Sequence, residues 1–526
     1  MKKRILAALL SALFLTGAMG VAAEEAAYPK AEGERFTIFV KQQTIQPDYE
    51  QIYMFEQYEK MTGIDIEWIN TPQDVVNEKV SLTLAGGDLP DAFLKCGISG
   101  SDLQTYGDAG DFLDLSPYLE TYAPNFWAYA QTNPDVLASI TTPDGAIYSL
   151  PAIADAPSTR ISLKWFYNQE WLSNLGLEQP ADIDAFYAML KAFKEQDANG
   201  NGDPSDEVPL MTSMDNLYQT LGGMFGVLNR GGYHQSFWDA DPATGELRYT
   251  RTSDAWRELM AFMNKLYEEG LIAQESITYK VADVVGLAAQ DRLGMYVMTN
   301  LARLSADVAD KFAPIETVVK GPHGDQLWPA TRSHLHSVGA FVITTACKNP
   351  ELLLQWVDYF YSEPGILLYH YGVEGETCVK KADGSYAYTD DVLAEMAQGK
   401  SYDESIADVT CFGGGNNPTI MSWPGFAGME LTEKPMAASE VLKEHLPGTI
   451  WPIFTYTYDE NEVVTTVGSD IDNYVKGMCA KFVTGETELN DQTWSDYVNT
   501  VEKMGMSEYY EATKAAAQRA DAAVKR

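Results

Sequence analysis

Between Phe36 and Lys95 the chain alternates strand and helix twice, and that alternation restricts the fold more than any other feature. Phe36-Thr-Ile-Phe-Val40 is a β-branched and aromatic run, followed by a polar loop from Lys41 to Pro47. Tyr49, Ile52, Tyr53, Phe55, Glu56 and Tyr58 then recur at helical spacing, and Thr62-Gly63 ends that helix before a second strand, Ile64 to Trp68. A helix over Val75 to Leu84 stops at Gly86-Gly87 and leads to a third strand, Asp91 to Lys95. Strand, helix, strand is the unit of a parallel sheet covered by helices, so an α/β fold is expected.

From about Trp171 the pattern changes to helices with longer acidic connections: Ile183 to Lys194, Leu217 to Val227, and Ser253 to Glu268 with Gly270 as its stop. Strand-like segments return at Gly294 to Met298 and at Ser337 to Thr344. Pro350 then opens a helix reaching Tyr361, and later helices cover Tyr474 to Phe482 and Trp494 to Met504. A chain that revisits both patterns crosses between two lobes more than once. The division expected is a first lobe over 24–150, a second over 151–295, a return to the first over 296–346, and mainly second lobe with carboxy-terminal helices over 347–526.

Residues 1–23 read as an export signal: Lys2, Lys3 and Arg4, a short apolar run from Ile5 to Leu15, and small residues at Val21-Ala22-Ala23. Leu15-Thr16-Gly17 begins a lipoprotein cleavage box, but Ala18 stands where a cysteine must be acylated, so an extracellular or envelope-associated protein without that lipid anchor is expected. The whole chain has 45% hydrophobic residues, and no apolar run after residue 23 is long enough to span a bilayer. With 37 basic against 75 acidic residues the net charge is −38, which argues against nucleic acid as a partner. Five scattered cysteines without a C-x-x-C pair make no disulfide framework. His334 and His336 lie two apart with no third ligand nearby and read as strand or loop residues.

The sharpest local motif follows the helix ending near Lys194. Asp197, Asn199, Asn201 and Asp203 place oxygen side chains at alternate positions around Gly202, and Asp206 and Glu207 supply closing carboxylates. That spacing suits a structural calcium ion, although Val208 occupies the twelfth position, where an EF-hand carries its bidentate carboxylate. Eleven tryptophans and thirty tyrosines, several in loops, offer faces on which sugar rings stack. No G-x-S-x-G elbow, H-E-x-x-H, Walker loop or G-x-G-x-x-G is present, so no catalytic residue is assigned.

Ala85-Gly-Gly-Asp-Leu-Pro-Asp91, Gly145-Ala-Ile-Tyr-Ser-Leu-Pro151, Trp171-Leu-Ser-Asn-Leu-Gly176, Tyr361-Ser-Glu-Pro-Gly365 and Ala480-Lys-Phe-Val-Thr-Gly485, in this order, resemble bacterial extracellular solute-binding proteins of family 1, the capture components of ATP-binding-cassette importers. The resemblance implies a two-lobe, periplasmic-binding-protein-like fold of type II with the ligand cleft between the lobes. It also implies hinge closure, permease subunits as partners, a monomer, and a calcium loop like Asp197 to Glu207. Carried over by position, the cleft would draw Gln42 and Gln43 from the loop after the first strand, and Cys96, Ser99 and Ser101 from the loop after the third. Thr299 and Asn300 would come from the return crossing, Asp215, Asn216 and Trp238 from the second lobe, and Trp423 from a late loop. Arg160, near the first crossing, is placed either to hold an acidic sugar or to form a hinge salt bridge.

The expected function is capture of an oligosaccharide or other small solute for an importer, without catalysis. A secreted glycoside-active enzyme and a ligand-presenting sensory or adhesion module are the alternatives.

Overall fold

The computed structural model of the protein describes residues 28–227, 230, 237–241, 244–411, 415–422, 432–448 and 450–524. The expected export signal and Trp423 lie outside them. The strands, in chain order, are β1 (Arg35–Gln42), β2 (Asp65–Pro72), β3 (Ala92–Ile98), β4 (Leu150–Ala154), β5 (Lys164–Asn168), β6 (Val208–Leu210) and β7 (Trp238–Ala240). They continue as β8 (Leu247–Tyr249), β9 (Leu293–Met298), β10 (Phe312–Pro314), β11 (Leu335–Ile343), β12 (Cys378–Lys380), β13 (Tyr386–Tyr388) and β14 (Ile420–Met421).

One sheet has the order β14-β4-β11-β3-β1-β2 and the other β10-β5-β9-β6. In the first sheet β1 pairs parallel with both β2 and β3, the βαβ arrangement expected from the amino-terminal alternation. Ile38 and Val40 of β1 and Ala92 and Leu94 of β3 are fully buried beneath the covering helices. The helix Tyr53–Thr62 ends where Gly63 takes φ 71° and donates to the Glu59 carbonyl; this left-handed cap is nearly free of strain only for glycine. The helix Asp254–Glu268 starts where the Ser253 hydroxyl accepts from the Trp256 N–H. In the second lobe, Trp165, Trp171, Trp256 and Trp328 lie fully buried in a separate core.

Two details differ from the sequence reading. Strand β3 runs to Ile98, past Lys95, which adopts φ 59° with its ammonium donating to the Cys411 carbonyl. The lobe boundaries also move. Strands β9 and β10, placed by sequence at the edge of and within the return to the first lobe, belong to the second sheet; β11 is the first strand back. The helices Pro350–Asp358 and Glu363–Tyr371 then pack in the first lobe's core, whereas the chain after 432 packs against the second. Strands of three residues, such as β10, carry too little periodicity to reveal their sheet.

The two crossing segments pair with each other. Ile161 and Thr331 form an antiparallel bridge, Ser162 N–H donates to Ala330 O at 2.9 Å, and Arg332 N–H donates to Arg160 O at 3.0 Å. This short ribbon joins the lobes beside the cleft. All five cysteines are buried free thiols.

Candidate functional site

Two cavities open between the sheets, of about 770 and 1250 Å³, and Gly97, Thr299, Arg332, His336 and Asn416 line both. The waist they form draws on β3, the segment after β9, the second crossing, the start of β11 and a late loop. Gly97 has φ 67°, and a Cβ there would stand 2.5 Å from Asn416 Nδ2, so glycine is what lets the late loop approach β3. The Thr299 hydroxyl donates to the Ser162 carbonyl at 2.8 Å, tying that side of the waist to the first crossing.

The smaller cavity has an aromatic wall. Trp238 and Tyr509 meet edge to face with centroids 5.0 Å apart, and Trp238 Nε1 donates to the Tyr509 hydroxyl at 3.3 Å. The Tyr509 and Tyr249 hydroxyls donate to the two oxygens of Asp472 at 3.2 and 2.9 Å. Burial nevertheless pushes the Asp472 carboxyl up to about 6, since the tyrosine hydrogen bonds oppose that rise without cancelling it. Opposite this wall, Ser99, Gly100 and Ser101 line the cavity where the helix Gly100–Ala109 begins. Ser99 Oγ accepts from the Asp102 N–H at 3.1 Å and donates to the Asp102 carboxylate at 2.8 Å.

Of the residues expected to contact ligand, Ser99, Ser101, Asn216, Trp238 and Thr299 line the smaller cavity; Gln43, Cys96, Thr299 and Asn300 line the larger. Cys96 is only 6% exposed and its thiol points at the Phe39 and Leu94 carbonyls, with burial pushing it up to about 12, so it remains a protonated thiol. Three of the expected residues stand outside both cavities. Gln42 lines neither cavity because its amide turns back to Gln46 O and Asp48 Oδ1, at 3.3 and 3.0 Å. Asp215 is exposed on the first turn of the helix Met214–Leu221 and lines neither. Arg160 also lines neither: its Nε donates to the Arg332 carbonyl at 3.3 Å, and Nη1 approaches His334 Nε2 at 3.4 Å.

Sequence reasoning missed Arg332, His336, Asn416, Tyr456, Asp472 and Tyr509. Asn416 had a usable signal, a Gly-Gly-Asn-Asn loop that lets it adopt φ 57°. His336 was noticed only as a metal candidate. Tyr456, Asp472 and Tyr509 come from carboxy-terminal segments whose position no local pattern reveals.

Among the described residues no three His, Cys, Asp or Glu side chains gather closely enough to hold a metal. In the Asp197 loop, Asp197 Oδ2 accepts from Gly202 N–H at 2.9 Å, and Asn199 Oδ1 and Asn201 Oδ1 accept from N–H groups two residues on, at 3.0 and 2.7 Å. Asp203 Oδ1 is engaged by the Ser205 N–H and hydroxyl. Asp206 accepts from the Asn199 and Asn201 amides, and Glu207 Oε1 accepts from the Ala198 N–H. Asp197 Oδ1 and Glu207 Oε2 are buried without a hydrogen-bond partner.

Two α/β lobes joined by a short ribbon, with a large cavity between them, define a two-lobed ligand-binding protein. Residues 43–366 match the model of the bacterial extracellular solute-binding protein family, and the chain belongs to that family. It is 24% identical over 507 residues to the fructooligosaccharide ABC transporter substrate-binding protein FusA of Streptococcus pneumoniae, covering 92% of this chain and 90% of FusA. It is 26% identical over 339 residues to the polygalacturonan/rhamnogalacturonan-binding protein YtcQ of Bacillus subtilis, covering 63% and 64% of the two chains. The structure of FusA in complex with kestose superposes with a TM-score of 0.77 at 23% identity, over 93% of this chain and 100% of that one. The alginate-binding protein AlgQ2 without calcium ion gives 0.76 at 22% identity, over 94% and 100%. Among the described residues no helix is long and apolar enough to cross a membrane.

Proposed function

We propose that the protein captures an oligosaccharide outside the cell and presents it to the permease subunits of an ATP-binding-cassette importer. The observation that carries this reading is the size and make-up of the cleft. Pockets for drug-sized ligands occupy about 300–1,000 Å³; here a cavity of about 770 Å³ adjoins one of about 1250 Å³. That space suits several linked rings rather than one. Trp238, Tyr509 and Phe454 at one end offer apolar surface for the C–H faces of sugars, and Asn216, Gln219 and Asn416 offer amides for their hydroxyls. The names of FusA and YtcQ, both saccharide binders, favour the same ligand class.

Ligand held by both lobes stabilises the closed form over the open one, and the paired crossings Ile161 and Thr331 are the natural bending point. Binding proceeds without turnover. Asp472, the carboxylate in the smaller cavity's wall, is occupied by two tyrosine hydroxyls rather than poised opposite a second acid. The protein acts as an exported monomer whose residues 1–23 are its signal.

The Asp197 loop carries the oxygens a calcium ion needs, and its side chains, which do not stand gathered as a ligand cluster, would turn inward to hold it. Asp197 Oδ1 and Glu207 Oε2, buried and without hydrogen-bond partners, are the kind of oxygens a hard cation satisfies. Asp197, Asn199, Asn201, Asp203, Asp206 and Glu207 would hold it, and its contribution would be to fasten the loop, far from any reaction. Thermal unfolding against neutral and acidic oligosaccharides, with chromatography of the glycan afterwards, tests the functional reading. A raised midpoint with intact glycan supports capture, and fragmentation of the glycan would refute it in favour of an enzyme.

A further inference from the structure

The two cavities differ in charge. The larger carries basic and acidic side chains in near balance, whereas Arg332 and Asp472 are the only Lys, Arg, Asp or Glu among the described residues that line the smaller. Arg332 lines both and so belongs to the waist; Asp472 lines the smaller cavity alone, as do Trp238 and Tyr509. Away from the waist, that cavity presents one carboxylate and no cation. With its carboxyl at about 6, Asp472 is ionised at neutral pH. The cations that act on it stay out of the cavity: Arg251 lies 3.6 Å over the Trp256 ring, Lys476 lies 5.6 Å over the Phe237 ring, and neither is part of the lining.

The Asp472 carboxylate also has acceptor capacity to spare. Each oxygen takes one tyrosine hydroxyl, from Tyr249 or Tyr509, and a carboxylate offers about four acceptor positions in all. Gln219, only 5% exposed on the wall of the same cavity, adds a side-chain carbonyl oxygen that is buried without a hydrogen-bond partner. What both groups would take from a ligand is a donor.

We infer that the sugar unit held in the smaller cavity is a neutral one whose hydroxyls donate to Asp472 and Gln219, and that Asp472 is a specificity-determining residue that turns away uronate or sulfated units at this end of the cleft. This deepens the oligosaccharide reading and rests on it. A hydroxyl donating to a carboxylate makes a charge-assisted bond about twice as strong as a neutral one, whereas an acidic unit would set like charge beside Asp472 with no cation between them. The larger cavity, with its charges near balance, imposes no such exclusion.

The test is native mass spectrometry of the full chain at neutral pH with an equal-mass pool of short fragments of inulin, mannan, xylan, alginate and polygalacturonate. Every unit of the last two carries a carboxylate, so whichever unit enters the smaller cavity brings one to Asp472. The expected result is retention of neutral fragments and rejection of the wholly acidic ones. Retention of alginate or polygalacturonate fragments, alone or equally with neutral ones, would overturn the inference and leave oligosaccharide capture standing; retention of nothing would overturn both. Asp472→Asn is expected to weaken the retained neutral fragment by about tenfold or more, as loss of a charge-assisted hydrogen bond does, and to narrow the gap between neutral and acidic fragments. A purely structural role would weaken every fragment alike, so an unchanged ratio in the folded variant would count against Asp472 as the selecting group. Should that variant not fold, the preference of the natural protein between neutral and wholly acidic fragments decides the matter without any substitution.

Discussion

Arg160 and Arg332 hold each other across the lobe-joining ribbon: the Arg332 N–H donates to the Arg160 carbonyl at 3.0 Å, and Arg160 Nε donates back to the Arg332 carbonyl at 3.3 Å. The same guanidinium reaches His334 Nε2, whose ring turns Nδ1 to Asp135 at 2.8 Å. A guanidinium only donates, so the His334 proton sits on Nδ1, facing the carboxylate. Arg160 is therefore a positioning residue of the hinge. Arg160→Ala is expected to cost about 1–2 kcal/mol of stability, consistent with losing long hydrogen bonds from a charged group. Arg160→Lys should restore little of it, since one ammonium cannot reproduce the fork. Denaturant unfolding of both variants checks this, and a fully stable lysine variant would contradict it.

Chelation should loosen the Asp197 loop. With calcium at about a hundred times its dissociation constant, the gain is about 2.7 kcal/mol over the ion-free protein, a shift of a few degrees in a chain of this size. Asp197→Ala should abolish the difference between calcium and chelator. Identical unfolding midpoints for the natural protein in the two conditions would remove calcium from the account.

Three groups shifted by burial, Asp358 and His370 fully covered and Asp472 half-covered, set opposing trends in stability with pH. Burial pushes Asp358 up to about 6, although it accepts from the Asn125 and Phe126 N–H groups, and Asp472 also stands at about 6. An unfolded aspartate titrates near 3.9, so between about 4 and 6 the folded state holds the protons more tightly. Stability contributed by these protons is present below that window and lost as pH rises through it. His370 is driven by burial down to about 3, so its contribution is full above about 6.5 and lost as pH falls toward 3. Asp358→Asn combined with Asp472→Asn should flatten the falling arm between pH 4 and 6, as calorimetry would register. An unchanged slope in the double variant would show that burial does not hold these carboxyls up.

What the sequence made legible was local. The βαβ beginning could be read because β1 contains the β-branched and aromatic run Phe36 to Val40 and Gly63 marks the end of the helix that follows. The helix Ile183–Glu195 matched its reading to within a residue, because its apolar stripe of Phe186, Met189, Leu190 and Phe193 is regular. Contacts of high sequence separation were not legible. Asp472 meets Tyr249 across 223 residues, and nothing near either position announces the other. Arg332 and His336 lay in a visibly polar stretch, Thr331 to His336, but only the topology reveals that a crossing segment borders the cleft. The count of tryptophans was a poor guide to sugar-stacking faces: Trp328 is fully buried with Nε1 donating to Leu163 O.

Gly97→Ala should narrow the waist. The added Cβ would occupy the space of Asn416 Nδ2, and φ 67° is a conformation that costs an alanine about 1–2 kcal/mol. Because Asn416 itself stands at φ 57° beside Gly415, whose own Cβ would press on His336, the late loop has little room to retreat. The substitution therefore acts on two quantities at once: stability falls by the backbone term, and ligand affinity falls further as Asn416 is displaced from the place where the two cavities meet. Titration with ligand at a temperature well below unfolding separates them. Affinity retained in a merely destabilised Gly97→Ala protein would show that the waist is not part of the binding surface, whereas lost affinity with a modest drop in midpoint is the outcome the geometry requires.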